Sequence, residues 1–162
     1  MLELGFQLRK ISRFMTVSHK ALVIMDGGSY GVLPDRDESS NSIIRYIPFV
    51  YTIGNYECGL PELLLFGPAY RTLNAITARM RDNGRAFADG ETIDLGGRWK
   101  PKAFCANEEA RKYTVQVGEY YGTNDYAVQQ IVLPDTFGRY PGDPQCDRPF
   151  CWTPVLRNNG KH

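Results

Sequence analysis

The stretch from Phe49 to Gly84 constrains the fold of this chain more than any other part of it. It begins with an apolar run, FVYTIG, passes through a turn-rich loop, NYECGLP, and reaches a second apolar run, ELLLF. Both runs are short, apolar and bounded by turn residues, which is typical of buried strands. A Gly-Pro pair then separates the second run from a segment with helical periodicity. The stretch predicts a strand, a loop, a second strand and a helix, in that order.

The helix of this stretch has the clearest pattern in the chain. We expect it to begin at Pro68, because the first position of a helix does not need a backbone N–H. It should end at Asn83 and Gly84, since both residue types tolerate the left-handed conformation of a C-terminal cap. Four apolar residues at helical spacing form its buried face: Ala69, Leu73, Ile76 and Met80.

The chain before Phe49 predicts short elements and a polar loop. HKALVIMD has the composition of a short strand, and residues 34–42 have that of a loop. Residues 43–54 are rich in β-branched and aromatic residues, but Pro48 lacks an N–H for a ladder, which predicts an edge position or a bulge there. Residues 1–18 predict an amphipathic helix with apolar residues at helical spacing: Leu4, Leu8, Ile11 and Met15.

The chain after the first helix predicts further strands and a second helix. GETIDLGGRWKPKAFCA suggests one or two strands around a Gly-Gly turn, and DYAVQQIVLP suggests a strand that ends at Pro134. Between them, Asn107 is a good N-cap for a helix. The core-facing stripe of that helix is predicted to be Ala110, Tyr113, Val117 and Tyr120. Since strands are followed by only a few helices, the expected class is α+β: a single domain with a mainly antiparallel or mixed sheet and two principal helices packed on it.

Composition narrows the classes of partner. The chain has 162 residues, and 19 Lys and Arg against 18 Asp and Glu leave a net charge of +1. Nucleic acid is therefore an unlikely main partner. The apolar run ALVIM is too short for a membrane span or a signal segment, which predicts no membrane association and a cytoplasmic location.

The cysteines and histidines do not form a metal-binding pattern. The four cysteines include no CxxC pair, and the only histidines are His19 and His162. We therefore predict no metal site and no cofactor. The cysteines are expected to be reduced thiols, and a Cys146–Cys151 disulfide is the main alternative.

Two carboxylates are candidates for chemistry. Glu62 opens the ELLLF run, and Asp135 follows the strand that ends at Pro134. If both faced one pocket, their repulsion would raise one pKa and create an acid and base pair. The alternative is structural: Glu62 caps backbone N–H groups in its loop, and Asp135 forms an Asx-turn. Cys58 is a weak nucleophile candidate because the neighbouring Glu57 would raise its pKa.

The order and spacing of three segments resemble the DUF4262 family of small, mainly bacterial proteins of unknown function. The segments are YTIG, GLPELLLFG and VQQIVLPDTFGRYP, and the resemblance covers roughly residues 45–150. The chain departs from the pattern at Leu60, where many members have histidine, and at Gly142, where a tryptophan would follow the late proline. The implied organisation is an extension over residues 1–42, a DUF4262-like domain over 43–150, and a tail over 151–162.

The resemblance implies no reaction, and we assign no catalytic residue. The favoured hypothesis is a non-catalytic module that binds a small molecule or a protein in a cleft near the PEL and PD/GR segments. A small hydrolase or transferase using Glu62 and Asp135 is the alternative, and a homodimer paired through an edge strand at residues 43–53 is the third. An Asp135–Arg139 or Glu62–Arg139 ion pair would instead give these groups a structural role. The candidate binding residues are Thr52, Asn55, Glu62, Gln130, Asp135 and Arg139.

Overall fold

A computed structural model describes residues 14–16, 22–25, 31–34, 44–67, 69–147 and 150–158. Most of the predicted N-terminal helix, most of the polar loop at 34–42, and both histidines lie outside the described residues. Residues 14–16 form a strand, so the helix predicted over residues 1–18 is wrong at that point.

The described strands form a mixed sheet and a separate hairpin. The strands are β1 (Phe14–Thr16), β2 (Leu22–Met25), β3 (Gly31–Pro34), β4 (Ile44–Ile47), β5 (Phe49–Ile53), β6 (Glu62–Phe66), β7 (Glu91–Thr92), β8 (Lys102–Cys105) and β9 (Val128–Val132). The sheet has the order β1-β2-β5-β6-β9-β8-β7, and β3 pairs with β4 in the hairpin. The β6–β9 pair is parallel, whereas the other pairs are antiparallel.

Within the described ranges, two α-helices and three short 3-10 helices accompany the strands. The α-helices are α1 (Tyr70–Asn83) and α2 (Val115–Tyr121). The 3-10 helices are Tyr56–Cys58, Glu108–Lys112 and Phe150–Trp152. A mixed sheet with two helices confirms the predicted α+β class.

The sheet carries an apolar core on each face. Alternate residues of a strand point to opposite faces, so Val50 and Leu65 pack with α1, whereas Tyr51 and Leu64 pack with Val117 of α2. Strands β5, β6 and β9 are consequently buried along their whole length. Burial on both faces explains why ELLLF is an uninterrupted apolar run rather than an alternating one.

Helix α1 agrees with its sequence pattern. Leu73, Ile76 and Met80 are fully buried against the sheet. The helix ends at Gly84, whose φ of 65° is the left-handed cap conformation expected of an Asn-Gly end. Its first residue is Tyr70, and Pro68 lies outside the described residues.

The second predicted helix is split in two. Asn107 caps the first part by accepting a hydrogen bond from the N–H of Glu109, but this part is a 3-10 helix that ends at Lys112. The buried Thr114 donates to the carbonyl of Ala110 and separates the two parts. The break changes the helical phase, so Tyr120 is 40% exposed and not part of a core-facing stripe.

Pro48 divides the long strand-like segment differently from the prediction. It separates β4, which belongs to the hairpin, from β5, which lies inside the sheet between β2 and β6. The prediction of an edge position is therefore wrong for residues 49–53. Both sides of β5 already carry partner strands, so the homodimer predicted through residues 43–53 cannot pair through residues 49–53. It stays a prediction for β4, which pairs with β3 alone among the described strands.

Glutamine side chains on β9 hold neighbouring chain segments against the sheet. Gln130 donates to the carbonyl of Pro154 at 2.6 Å and accepts from the N–H of Leu156 at 2.7 Å. Gln129 likewise donates to the carbonyl of Phe87 and accepts from its N–H. Gln130, a predicted binding residue, therefore has both of its polar ends engaged within the protein.

Replacing Gln130 with methionine tests this role. Gln130→Met keeps the side-chain length but leaves the carbonyl of Pro154 and the N–H of Leu156 without their partner. We expect the free energy of unfolding to fall by about 1–3 kcal/mol and the amide of Leu156 to exchange faster. Urea denaturation and hydrogen exchange measure both effects. The control is Gln145→Met at an exposed position, and equal midpoints for the two variants would contradict the assignment.

Candidate functional site

The carboxylate of Glu62 is the most densely bonded buried group near the loop after β5. Its side chain is fully buried at the first residue of β6. One oxygen, Oε1, accepts hydrogen bonds from the N–H groups of Gly54 and Tyr56 at 3.1 and 3.0 Å and from the hydroxyl of Tyr121 at 2.7 Å. The other, Oε2, accepts from the hydroxyl of Thr52 at 2.6 Å. Glu62 therefore caps backbone N–H groups of the loop after β5, as the structural alternative predicted.

Thr52 and Asn55 extend this bonding toward α1. The Thr52 oxygen accepts from the N–H of Leu63 at 2.9 Å and from the amide of Asn55 at 3.1 Å, so its proton is directed to Glu62. Asn55 in turn accepts from Nε of Arg81 at 2.9 Å. A hydroxyl has one donor and two acceptor positions, so the bonding capacity of Thr52 is filled.

The result is a polar chain that connects the two layers of helices. It runs from Arg81 on α1 through Asn55, Thr52 and Glu62 to Tyr121 at the end of α2. Three of the predicted binding residues, Thr52, Asn55 and Glu62, are thus brought together. The sequence did not predict the hydrogen bonds of Arg81 with Asn55 and of Tyr121 with Glu62. No sequence pattern shows that helices on opposite faces of a sheet reach the same loop.

The backbone of Gly54 lets the loop close over Glu62. Its φ is 123°, a conformation that residues with a Cβ rarely adopt. This turn aims the N–H of Gly54 at the carboxylate. The Tyr56–Cys58 helix follows at once and ends at Gly59, whose φ is 72°. The glycines of YTIG and CGLP therefore shape the loop around the buried acid.

Burial and hydrogen bonding act on Glu62 in opposite directions. Burial raises its pKa above the ordinary value, while the bonds from Thr52, Tyr56, Tyr121 and Gly54 lower it and offset part of the effect. Burial also raises the pKa of Tyr121, with the charge of Glu62 as the next cause, so this phenol keeps its proton. The neighbours of Glu62 all donate, which is the arrangement that suits an acceptor rather than a proton donor.

Three tyrosines cover the loop and the end of α2, and we call them the tyrosine cluster: Tyr56, Tyr120 and Tyr121. The rings of Tyr56 and Tyr121 lie 4.8 Å apart at 51°, and those of Tyr120 and Tyr121 lie 5.0 Å apart at 81°. Tyr56 is 38% exposed and Tyr120 is 40% exposed. Glu62 holds the cluster from below through the N–H of Tyr56 and the hydroxyl of Tyr121.

Asp135 organises a separate turn. Its Oδ1 accepts from the N–H groups of Phe137 and Arg139, each at 2.8 Å, and the Phe137 bond is the predicted Asx-turn. Its Oδ2 accepts from Nε of Arg139 at 2.8 Å and from the N–H of Asp147 at 2.9 Å. Burial opposes ionisation, but these four bonds outweigh it and hold the pKa of Asp135 well below its ordinary value.

The proposed pairing of Glu62 with Asp135 is wrong. In the parallel β6–β9 pair, Glu62 lies opposite Val128, at the start of β9. Asp135 follows the last residue of β9, Val132, and the strand alone spans about 13 Å at 3.3 Å per residue. The two carboxylates therefore lie at opposite ends of the strand pair. They do not form one acid and base pair.

The described residues offer few other groups for catalysis or metal binding. All four cysteines are free thiols, and Cys58 is exposed beside the tyrosine cluster. Within residues 44–67, 69–147, 150–158 and the short N-terminal strands, no group of three or more His, Cys, Asp or Glu side chains is placed to hold a metal ion. No helix of the same residues is long and apolar enough to cross a membrane.

The first prediction at this site concerns the acceptor role of Glu62. In Glu62→Gln, an NH₂ group replaces Oε2 and faces the Thr52 hydroxyl. The proton of that hydroxyl points toward the new NH₂ group, and both of its acceptor positions are already filled by Asn55 and Leu63. We expect the free energy of unfolding to fall by about 1–3 kcal/mol and the near-ultraviolet circular dichroism of the tyrosines to change. Glu119→Gln, at an exposed position of α2, is the control. An unchanged tyrosine spectrum in Glu62→Gln would count against the role of Glu62 in holding the cluster.

The second prediction concerns the charge of Asp135. Because its pKa is lower in the folded than in the unfolded chain, ionised Asp135 stabilises the fold at pH values above the unfolded value of about 3.9. Asp135→Asn should therefore be less stable than the wild type at neutral pH, and the difference should shrink as pH falls below about 4. Urea denaturation between neutral and acidic pH measures the difference. Asp125→Asn, at an exposed position, is the control, and a difference independent of pH would contradict the assignment.

Comparison with known proteins agrees with the sequence resemblance. The profile of the family described as "Domain of unknown function (DUF4262)" matches residues 40–147. No curated protein and no solved structure matches the chain. The matched segment contains the loop after β5, the Glu62 network and the Asp135 turn. Because the match covers more than half of the chain, this protein belongs to the DUF4262 family, whose function is unknown.

Proposed function

We propose that this chain is a non-catalytic binding module whose recognition surface is the tyrosine cluster. The observation that carries the proposal is the position of Glu62 beneath the cluster. A buried carboxylate fixes the backbone of Tyr56 and the hydroxyl of Tyr121, while the rings of Tyr56 and Tyr120 remain well exposed. The polar chain thus acts as a support for a surface rather than as a set of reacting groups.

The chemistry of tyrosine supports a recognition role. Tyrosine presents a large, rigid contact area with one polar end, and it is enriched at binding surfaces for that reason. The rings of the tyrosine cluster contact one another, and Tyr121 is tied to the core at its hydroxyl. Little side-chain entropy remains to be lost when a partner binds such a surface.

The bonding of the polar residues argues against catalysis at this position. The Thr52 hydroxyl is saturated by partners within the protein, and the Glu62 carboxylate accepts four hydrogen bonds from groups of the same chain. Asp135 is likewise surrounded by four donors. A general base must reach a proton of the substrate, and both carboxylates are buried, Glu62 at 0% and Asp135 at 1% exposure. Asp135 and Arg139, predicted as binding residues, are therefore not part of the proposed surface.

Selection from a peptide library tests the proposal. Random peptides displayed on phage would be selected on the immobilised protein and then measured against the Tyr56→Ala/Tyr120→Ala variant. We expect selected peptides to lose at least about tenfold in affinity for this variant, because truncating aromatic anchors typically costs more than about 1.4 kcal/mol.

The matched control is Phe137→Ala. Phe137 is 69% exposed and lies at the Asp135 turn, away from the cluster. Selected peptides should bind this variant as they bind the wild type, and circular dichroism should show that both variants are folded. Failure to select any peptide, or selection of peptides that depend on Phe137 instead, would refute the proposal.

A further inference from the structure

Several accessible aromatic rings of the described residues lie against a cation of the same chain. Cation–π contact requires a Lys or Arg group within about 6 Å of a ring centroid. Five such contacts occur among the described residues, and four of them use arginine. They are Arg71 on Tyr70 at 5.8 Å, Arg98 on Trp99 at 4.3 Å, Lys102 on Tyr140 at 4.3 Å, Arg139 on Phe137 at 4.7 Å and Arg157 on Phe104 at 4.8 Å.

The tyrosine cluster differs from these rings. Among the residues that the structure describes, no Lys or Arg lies over Tyr56 or Tyr120, although both rings are as exposed as Trp99 at 37%. Their ring contacts are with Tyr121. The cluster therefore offers aromatic faces that no cation of the described residues covers.

Acidic groups surround the cluster. Glu62 lies beneath it, and the exposed Glu57 directly follows Tyr56 and is close enough for its charge to act on the Tyr121 hydroxyl. Glu119 precedes Tyr120 and is also exposed. Ring faces carry negative potential, so the carboxylates and the rings attract the same sign of charge. The surface is complementary to a cation.

We infer that the occupant of the tyrosine cluster is an arginine side chain of a protein partner, an inference that rests on the proposed function. A guanidinium group stacks its plane on an aromatic ring and still donates in-plane hydrogen bonds to a carboxylate. The face of Tyr56 or Tyr120 supplies the first contact, and the carboxylate of Glu57 supplies the second. Lysine, a strongly hydrated point charge, satisfies only the electrostatic part of this arrangement.

A pair of short peptides tests the inference. The isotope-labelled protein would be titrated with Ac-Gly-Arg-Gly-NH₂ and with the same peptide containing citrulline, which keeps the shape of arginine but is neutral. We expect the arginine peptide to shift the resonances of Tyr56, Glu57, Tyr120 and Tyr121 in a saturable way. The citrulline peptide should bind about two- to fivefold more weakly, in line with the strength of cation–π contacts at exposed sites.

Variants and salt separate the possible outcomes. Glu57→Gln should weaken binding of the arginine peptide, and added salt should weaken it further. The Phe137→Ala control should bind it normally. Equal binding of the two peptides at the cluster would overturn the arginine inference while leaving the proposed binding surface intact. Shifts elsewhere on the protein, or no shifts, would overturn the inference, and the phage selection would then decide separately whether the cluster binds peptides at all.

Discussion

Four donors converge on the buried carboxylate of Glu62, and the local structure on both sides of the sheet depends on that convergence. The N–H groups of Gly54 and Tyr56 close the loop after β5, the Thr52 hydroxyl connects to Asn55, and the Tyr121 hydroxyl anchors the end of α2. A buried charge is tolerated only when its hydrogen bonds are made. The sequence meets that requirement with a glycine of positive φ, a threonine and a tyrosine, each at one defined position.

The parallel pairing of β6 with β9 determines how the polar residues of the family motif are distributed. Parallel strands place their first residues at the same end of the sheet, so Glu62 lies beside Val128, and Asp135 is carried to the opposite end. Each motif then forms a local structure of its own. Glu62 holds a loop and an aromatic surface, Gln130 holds the segment at Pro154, and Asp135 with Arg139 holds a turn. The three residues thus take part in three separate sets of hydrogen bonds.

Elements that depend on residues close together in the sequence could be predicted, whereas those that depend on contacts distant in sequence could not. Helix α1, its left-handed Gly84 cap, and the buried strands of FVYTIG and ELLLF depend on local patterns and were predicted. The Asx-turn at Asp135 also follows from nearby residues. The split of the second helix at Thr114 was missed, because Thr114 makes tertiary hydrogen bonds with the hydroxyl of Tyr126 that helix propensity does not contain. The pairing of Glu62 with Asp135 failed for a similar reason, since strand order and direction are set by contacts distant in sequence.

The coupling between Glu62 and Tyr121 is the most direct test of this account, and a double-mutant cycle measures it. The cycle compares unfolding free energies of the wild type, Glu62→Gln, Tyr121→Phe and the double variant. If the carboxylate holds the cluster through the 2.7 Å bond, the two changes should be non-additive by about 0.5–3 kcal/mol. Additive effects, with a coupling near zero, would show that Glu62 and the tyrosine cluster are independent, and would contradict the view that the buried acid supports the recognition surface.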